Sequence, residues 1–204
     1  MNIAVPFILG FATSFLGTIF PSMLNMTAVK TSLDRNNKEA IRFAFGVSVI
    51  VLIQAYLAIL FAKYLHENPA FLQNIQIIGA TTFAILSVYF FIQSKKEKQD
   101  KERKMVMNSF MVGVVLSSLN MFAIPFFCEI TSVLGMFGWL QFEQISTATF
   151  VLGSAIGTFC LLNVYIIYAQ KIKNRSKKVM KDMNIVLAGL TGILSIITIA
   201  NILF

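Results

Sequence analysis

Long apolar runs separated by short polar stretches make up most of the chain. Six runs come close to the roughly 20 residues that carry a helix across a bilayer: about 3–28, 43–62, 75–93, 109–128, 146–169 and 184–203. None alternates at period two, so the pattern predicts membrane helices and not the strands of a membrane barrel.

Two of these runs are interrupted. The first contains Gly17-Thr18-Ile19-Phe20-Pro21-Ser22-Met23-Leu24-Asn25-Met26; the fourth contains Ser117-Ser118-Leu119-Asn120-Met121, with Pro125 close behind. Proline has no N–H and its ring pushes away the carbonyl four residues back. A kink or opening is therefore expected in each run, freeing the carbonyls of Gly17 and Met121. In lipid such backbone survives only against protein or beside a wet cavity. The two Leu-Asn-Met triplets stand 95 residues apart, close to half of the 204-residue chain.

Composition narrows the class. With 57% hydrophobic and 13% charged residues and a mean hydropathy of +0.76, a soluble domain of this length could not cover its apolar surface, and an integral membrane protein is expected. The net charge of +8 would suit a nucleic-acid partner if it were spread over a face, but it is not. Sixteen of the seventeen basic residues follow the first, third and fifth runs: Lys30 to Arg42, Lys95 to Lys104, and Lys171 to Lys181. Positive residues stay on the cytoplasmic side, so the pattern places both termini outside and excludes a nucleic-acid function. Contact of the basic loops with anionic lipid headgroups is a secondary role. The first run has no basic flank before it and no small-residue cleavage site, so it reads as a span and not as a signal peptide.

Between basic turns and apolar runs the organisation is regular. The loop from Lys30 to Arg42 turns at Asn36-Asn37, an outer hairpin falls at His66-Glu67-Asn68-Pro69, and Ser94 to Asn108 is a charged linker. This gives residues 1–93 as one three-helix repeat, 94–108 as a cytoplasmic linker and 109–204 as a second repeat. Three spans per half is odd, so the halves insert upside down to one another. Inverted repeats bring paired broken helices together near the midplane, where secondary transporters bind substrate. The candidate substrate site is accordingly Pro21, Ser22, Asn25, Ser117, Ser118, Asn120 and Pro125. Gln54 and Asn163 are secondary candidates, more often packing amides than ligands. Gly46, Gly153 and Gly157 suit close helix approach, and Trp139 with Phe137 and Phe142 suits an outer interfacial anchor. The acidic residues lie in loops or at span ends. Glu129 and Glu143 come nearest the core, so a carboxylate proton relay would have to use one of them. His66 and the cysteines Cys128 and Cys160 form no metal-ligand or thiol-pair spacing; no metal and no cofactor is expected.

The chain also resembles the lysine exporter (LysE/RhtB) family. Phe20-Pro21-Ser22, Thr31-Ser32-Leu33 and Phe45-Gly46 are similar to its first half; Phe110, Gly113, Leu116, Leu119-Asn120, Val151-Leu152-Gly153, Tyr165, Ala169-Gln170-Lys171-Ile172 and Asn184 are similar to its second. The likeness covers essentially the whole chain. It departs where the family's Pro-Gly-Pro is Pro21-Ser22-Met23, and where its Asn-Pro-Lys is Asn120-Met121-Phe122. The resemblance implies a six-span exporter of amino acids or related small metabolites, driven by the proton gradient, in a bacterial inner membrane. Its partners would be a small-molecule substrate and the lipid bilayer, with a homo-oligomer left open. The rival readings are a divalent-cation exporter, for which the spans offer few ligands, a thiol–disulfide electron carrier, which needs a cysteine pair in each half, and a structural membrane subunit.

Overall fold

The computed structural model of the chain describes residues 3–19, 22–67, 108–120 and 122–169, with the single positions 85, 88, 92 and 171. Run six, run three apart from residues 85, 88 and 92, the charged linker up to Met107 and the hairpin at Asn68-Pro69 lie outside the described residues, as do Phe20, Pro21 and Met121. Among those described there are six helices and no strand: α1 (Ala4–Gly17), α2 (Met23–Asp34), α3 (Asn37–Glu67), α4 (Ser109–Ser118), α5 (Ala123–Met136) and α6 (Gln144–Ile167). By Cα packing, Met1–His66 and Val106–Asn174 form one compact unit, and these helices belong to it. Glu67–Met105 with Arg175–Phe204 forms a second.

α3 and α6 are each long and apolar enough to cross a membrane unbroken; at 1.5 Å per residue, both exceed the roughly 30 Å hydrocarbon layer. The first apolar run divides into α1 and α2. The fourth divides into α4 and α5, bent by 63° at the break. The turn after α2 is shorter than the sequence suggests. Helix continues to Asp34 and resumes at Asn37, because the polar residues there satisfy helix ends. The Asn36 carboxamide oxygen accepts from the Glu39 N–H at 2.9 Å, and the Ser32 hydroxyl donates to Asn37 Oδ1 at 2.6 Å. The fourth run likewise extends beyond residue 128, to Met136. Its end is set by Gly138, whose φ of +71° lets the chain turn back so that Trp139 and Leu140 donate to the Leu134 carbonyl.

Two helix crossings hold the unit together, and they are built alike. At the α1–α6 crossing a Cβ on Gly10 would stand 2.1 Å from the Phe150 carbonyl oxygen, and one on Gly153 would stand 2.2 Å from the Phe7 carbonyl oxygen. At the α3–α4 crossing Gly46 meets the Phe110 carbonyl oxygen and Gly113 meets that of Phe43, both at 2.3 Å from the same hypothetical atom. Each crossing is thus a reciprocal pair of Phe-x-x-Gly segments, with backbone lying against backbone where no side chain fits. Among the twenty phenylalanines of the chain, four are followed by glycine three residues on, and all four sit at these two crossings. Small polar residues line the same interfaces. Ser14 and Thr158 share a buried 2.6 Å hydrogen bond between α1 and α6, while Ser48 and Ser154 return their hydroxyls to their own helices. Around them Val29, Leu161, Tyr165 and Ala169 form an apolar cluster covered by Phe15, Met26 and Leu33, which seats α2 on α6.

Candidate functional site

The first interruption spans Thr18 to Ser22. Ser22 is extended (φ −113°, ψ 175°) and caps α2, its hydroxyl accepting from the Asn25 N–H at 3.4 Å. A helix end in an apolar medium leaves carbonyls with no partner, and here two side chains supply one. Asn25, 1% exposed, donates from Nδ2 to the Thr18 carbonyl at 2.8 Å. Tyr165 of α6 donates its hydroxyl to the Ile19 carbonyl at 2.6 Å. These are the next carbonyls along from Gly17, the one expected from proline geometry to be free. Tyr165 follows from the resemblance as a matching residue only; its role on the break was not legible, because nothing in a sequence pairs a span-five tyrosine with a span-one carbonyl.

The second interruption runs from Leu119 to Phe122 and has no proline within it. Pro125 is the third residue of α5, in the first turn, where its missing N–H costs no helix hydrogen bond. The break comes instead from Asn120, whose Oδ1 accepts from the Phe122 N–H at 3.4 Å while its own N–H donates to Ser117, a local turn that competes with helix. Ser117 is fully buried; its hydroxyl reaches toward the Val47 carbonyl at 3.5 Å, and its carbonyl accepts from Gln54 Nε2 of α3 at 2.9 Å.

The remaining candidates fall into three groups. Ser118 and Pro125 are exposed, and Ser118 bonds only to its own helix, at the Val114 carbonyl. Asn163 is half-buried and donates to the Phe159 carbonyl of its own helix. Glu129, expected at the outer end of run four, lies midway along α5, and Glu143 is the residue preceding α6; both are exposed. Asn25 and Asn120 share a residue type but not a structural position. Phe7 and Phe110, at the two crossings, are 103 residues apart, against 95 for the asparagines. Asn25 therefore falls inside the helix after its break and Asn120 falls in the break itself.

Elsewhere, the turn between α2 and α3 is tied to the start of α4. Arg35 donates to the Ser109 hydroxyl at 3.1 Å, Ser109 donates to Glu39 at 2.6 Å, and Arg42 pairs with Glu39. A cavity of about 200 Å³ is lined by Ile3, Pro6, Trp139, Ile145 and Ser146, among others, none of them a residue of either break. Among the described residues no cluster of His, Cys, Asp or Glu could hold a metal ion.

The arrangement is one of polar backbone and uncharged side-chain donors at two interruptions of apolar helices. Comparison with curated proteins and with solved structures gave no match. The model of the LysE type translocators, a transporter family, matches residues 15–200. That match takes in both interruptions and nearly the whole chain, which is therefore a member of the LysE type translocator family.

Proposed function

We propose that this translocator exports amino acids or related small metabolites across a bacterial inner membrane, driven by the proton gradient, with substrate bound between the two broken helices. One observation carries the reading. Both interruptions leave helix-end carbonyls within apolar runs, and in both a side chain from another span takes one up: Tyr165 at the part-buried first break and Gln54 at the buried second. Carbonyl and N–H ends that meet in a broken span suit the ammonium and the carboxylate of a zwitterion, respectively.

The paired crossings support the further reading of two inverted three-helix repeats, and the basic stretches after runs one, three and five support both termini outside. Exchanging span one for span four, and span five for span two, turns one Phe-x-x-Gly crossing into the other. Glu129, on an apolar helix, is the residue we assign to proton coupling. The test is counterflow from proteoliposomes, screening the twenty common L-amino acids and the 2-hydroxy acid analogues of leucine, methionine and phenylalanine at two values of pH. Saturable flux of some of these is expected, faster with a proton gradient. Absence of flux for all of them overturns the substrate assignment. In a Glu129→Gln, Glu143→Gln double variant the pH dependence is expected to flatten; an unaltered profile removes both residues from the coupling path.

A further inference from the structure

The oxygen of the Gln54 carboxamide stands apart from every other buried polar atom described. Gln54 is 6% exposed, and among the described residues its Oε1 is the one buried side-chain oxygen or nitrogen with no hydrogen-bond partner. The orientation of the amide is not arbitrary. The Ser117 carbonyl can only accept, so the nitrogen must face it, as it does at 2.9 Å, and the oxygen must turn away. A buried acceptor left unpaired is costly. A leucine of similar size would pack here without that cost, though it would abandon the Ser117 carbonyl.

From this we infer that Gln54 is the residue that selects for an amine: its Oε1 receives the ammonium group of the transported solute at the second interruption. The inference rests on the exporter reading above and names one contact within it. Three features converge. The oxygen lies beside the C-terminal end of α4, where the helix dipole concentrates partial negative charge. It needs a donor, and an ammonium offers three. No carboxylate is described among its partners, and hard divalent cations favour carboxylate ligands, so a monovalent, hydrogen-bonding cation fits better than a divalent metal. The oxygen is enclosed, so a solute reaches it only when the packing around Gln54 loosens.

The experiment compares counterflow of L-leucine, L-methionine and L-phenylalanine with their 2-hydroxy acids, in the wild type, Gln54→Leu and Gln54→Glu, with each variant's thermal melting measured in detergent. The wild type is expected to prefer the amine of each pair. Gln54→Leu is expected to lose that preference by roughly 10- to 100-fold, the range for one hydrogen bond to a charged group. Gln54→Glu keeps an acceptor there and is expected to retain or increase the preference, even where its melting falls for want of the bond to Ser117. If Gln54→Leu does not fold, Gln54→Met, of similar volume and without an oxygen, takes its place with the same expected loss of preference. Equal slowing of both members of each pair in both variants overturns the inference and leaves Gln54 a packing residue, with the exporter reading intact. So does an unchanged preference alongside loss of a Na+ dependence, which assigns the oxygen to an ion. Failure of the wild type to move any amino acid in the wider screen overturns the exporter reading itself, and this inference with it.

Discussion

At the first interruption two side chains, Asn25 and Tyr165, hold neighbouring carbonyls, and Asn25 is all but fully buried. At the second, one side chain holds one carbonyl, Asn120 is half-buried, and the amide that does the holding keeps an oxygen unpaired. The crossings that carry these breaks are nevertheless alike, each a reciprocal Phe-x-x-Gly pair. Similar scaffolds thus support a sealed break and an incomplete one. On the exporter reading proposed above, the first break would give rigidity and the second would keep polar capacity for a solute.

The likeness of the scaffolds is open to the most severe test. Gly153→Ala and Gly46→Ala each place a methyl group within about 2.3 Å of a backbone oxygen on the facing helix. Backbone cannot step aside as a side chain can, so each variant should lose about 3 kcal/mol, the upper part of the usual overpacking range. The losses should be equal, read as matched falls in melting temperature of the detergent-purified protein. A large inequality would mean that one crossing carries the fold and the other merely accompanies it. Gly138→Ala meets no atom within 4 Å and is strained only by its positive φ, at about 1 kcal/mol.

Asn25 and Asn120 test the difference between the breaks. Asn25→Ala leaves the part-buried Thr18 carbonyl without its side-chain donor and should cost about 1–3 kcal/mol; transport falls with it. Asn120→Ala removes only a long local bond to Phe122. It should lower melting by less than about 1 kcal/mol while abolishing flux. Equal melting curves for the two variants would erase the distinction, and normal flux in Asn120→Ala would return that side chain to a structural role.

The parts of this molecule legible from sequence are those that depend on local pattern. Apolar runs gave helices, and a proline with three polar neighbours (Thr18, Ser22 and Asn25) marked the first interruption near Pro21. The boundaries moved where capping decided them, as at Asn36, and where a glycine in the left-handed region set the end, as at Gly138. Contacts between spans were much less legible. The Phe-x-x-Gly segments are visible once known, but only the folded chain shows that the glycine of each lies on the carbonyl of another's phenylalanine. Asn25 and Asn120 attracted attention as a repeated triplet, and that repeat is eight residues out of step with the crossings. Gln54 read as an isolated packing amide because its partner, Ser117, lies 63 residues away. Its unpaired oxygen is a property of three-dimensional burial with no sequence signature.

The smallest predicted effect concerns Tyr165. Tyr165→Phe keeps the ring in the cluster with Val29, Leu161 and Ala169 and removes only the hydroxyl, which donates to Ile19 and also interacts with Asn25. One hydrogen bond is worth about 1 kcal/mol net, so melting should fall by that much and no more if the ring alone seats α2 on α6. Ser118→Ala serves as the control at the other break. Ser118 is exposed and its hydroxyl bonds within α4, so its loss should stay within about 0.5 kcal/mol. If the first break is closed by its side chains, the tyrosine variant gains freedom at Ile19, which faster amide hydrogen exchange from Ile19 to Asn25 would register, while the serine variant exchanges as the wild type does. Should Tyr165→Phe leave both melting and exchange untouched, Asn25 alone closes the first break, and the two interruptions then differ by the burial of one asparagine and not by the number of donors.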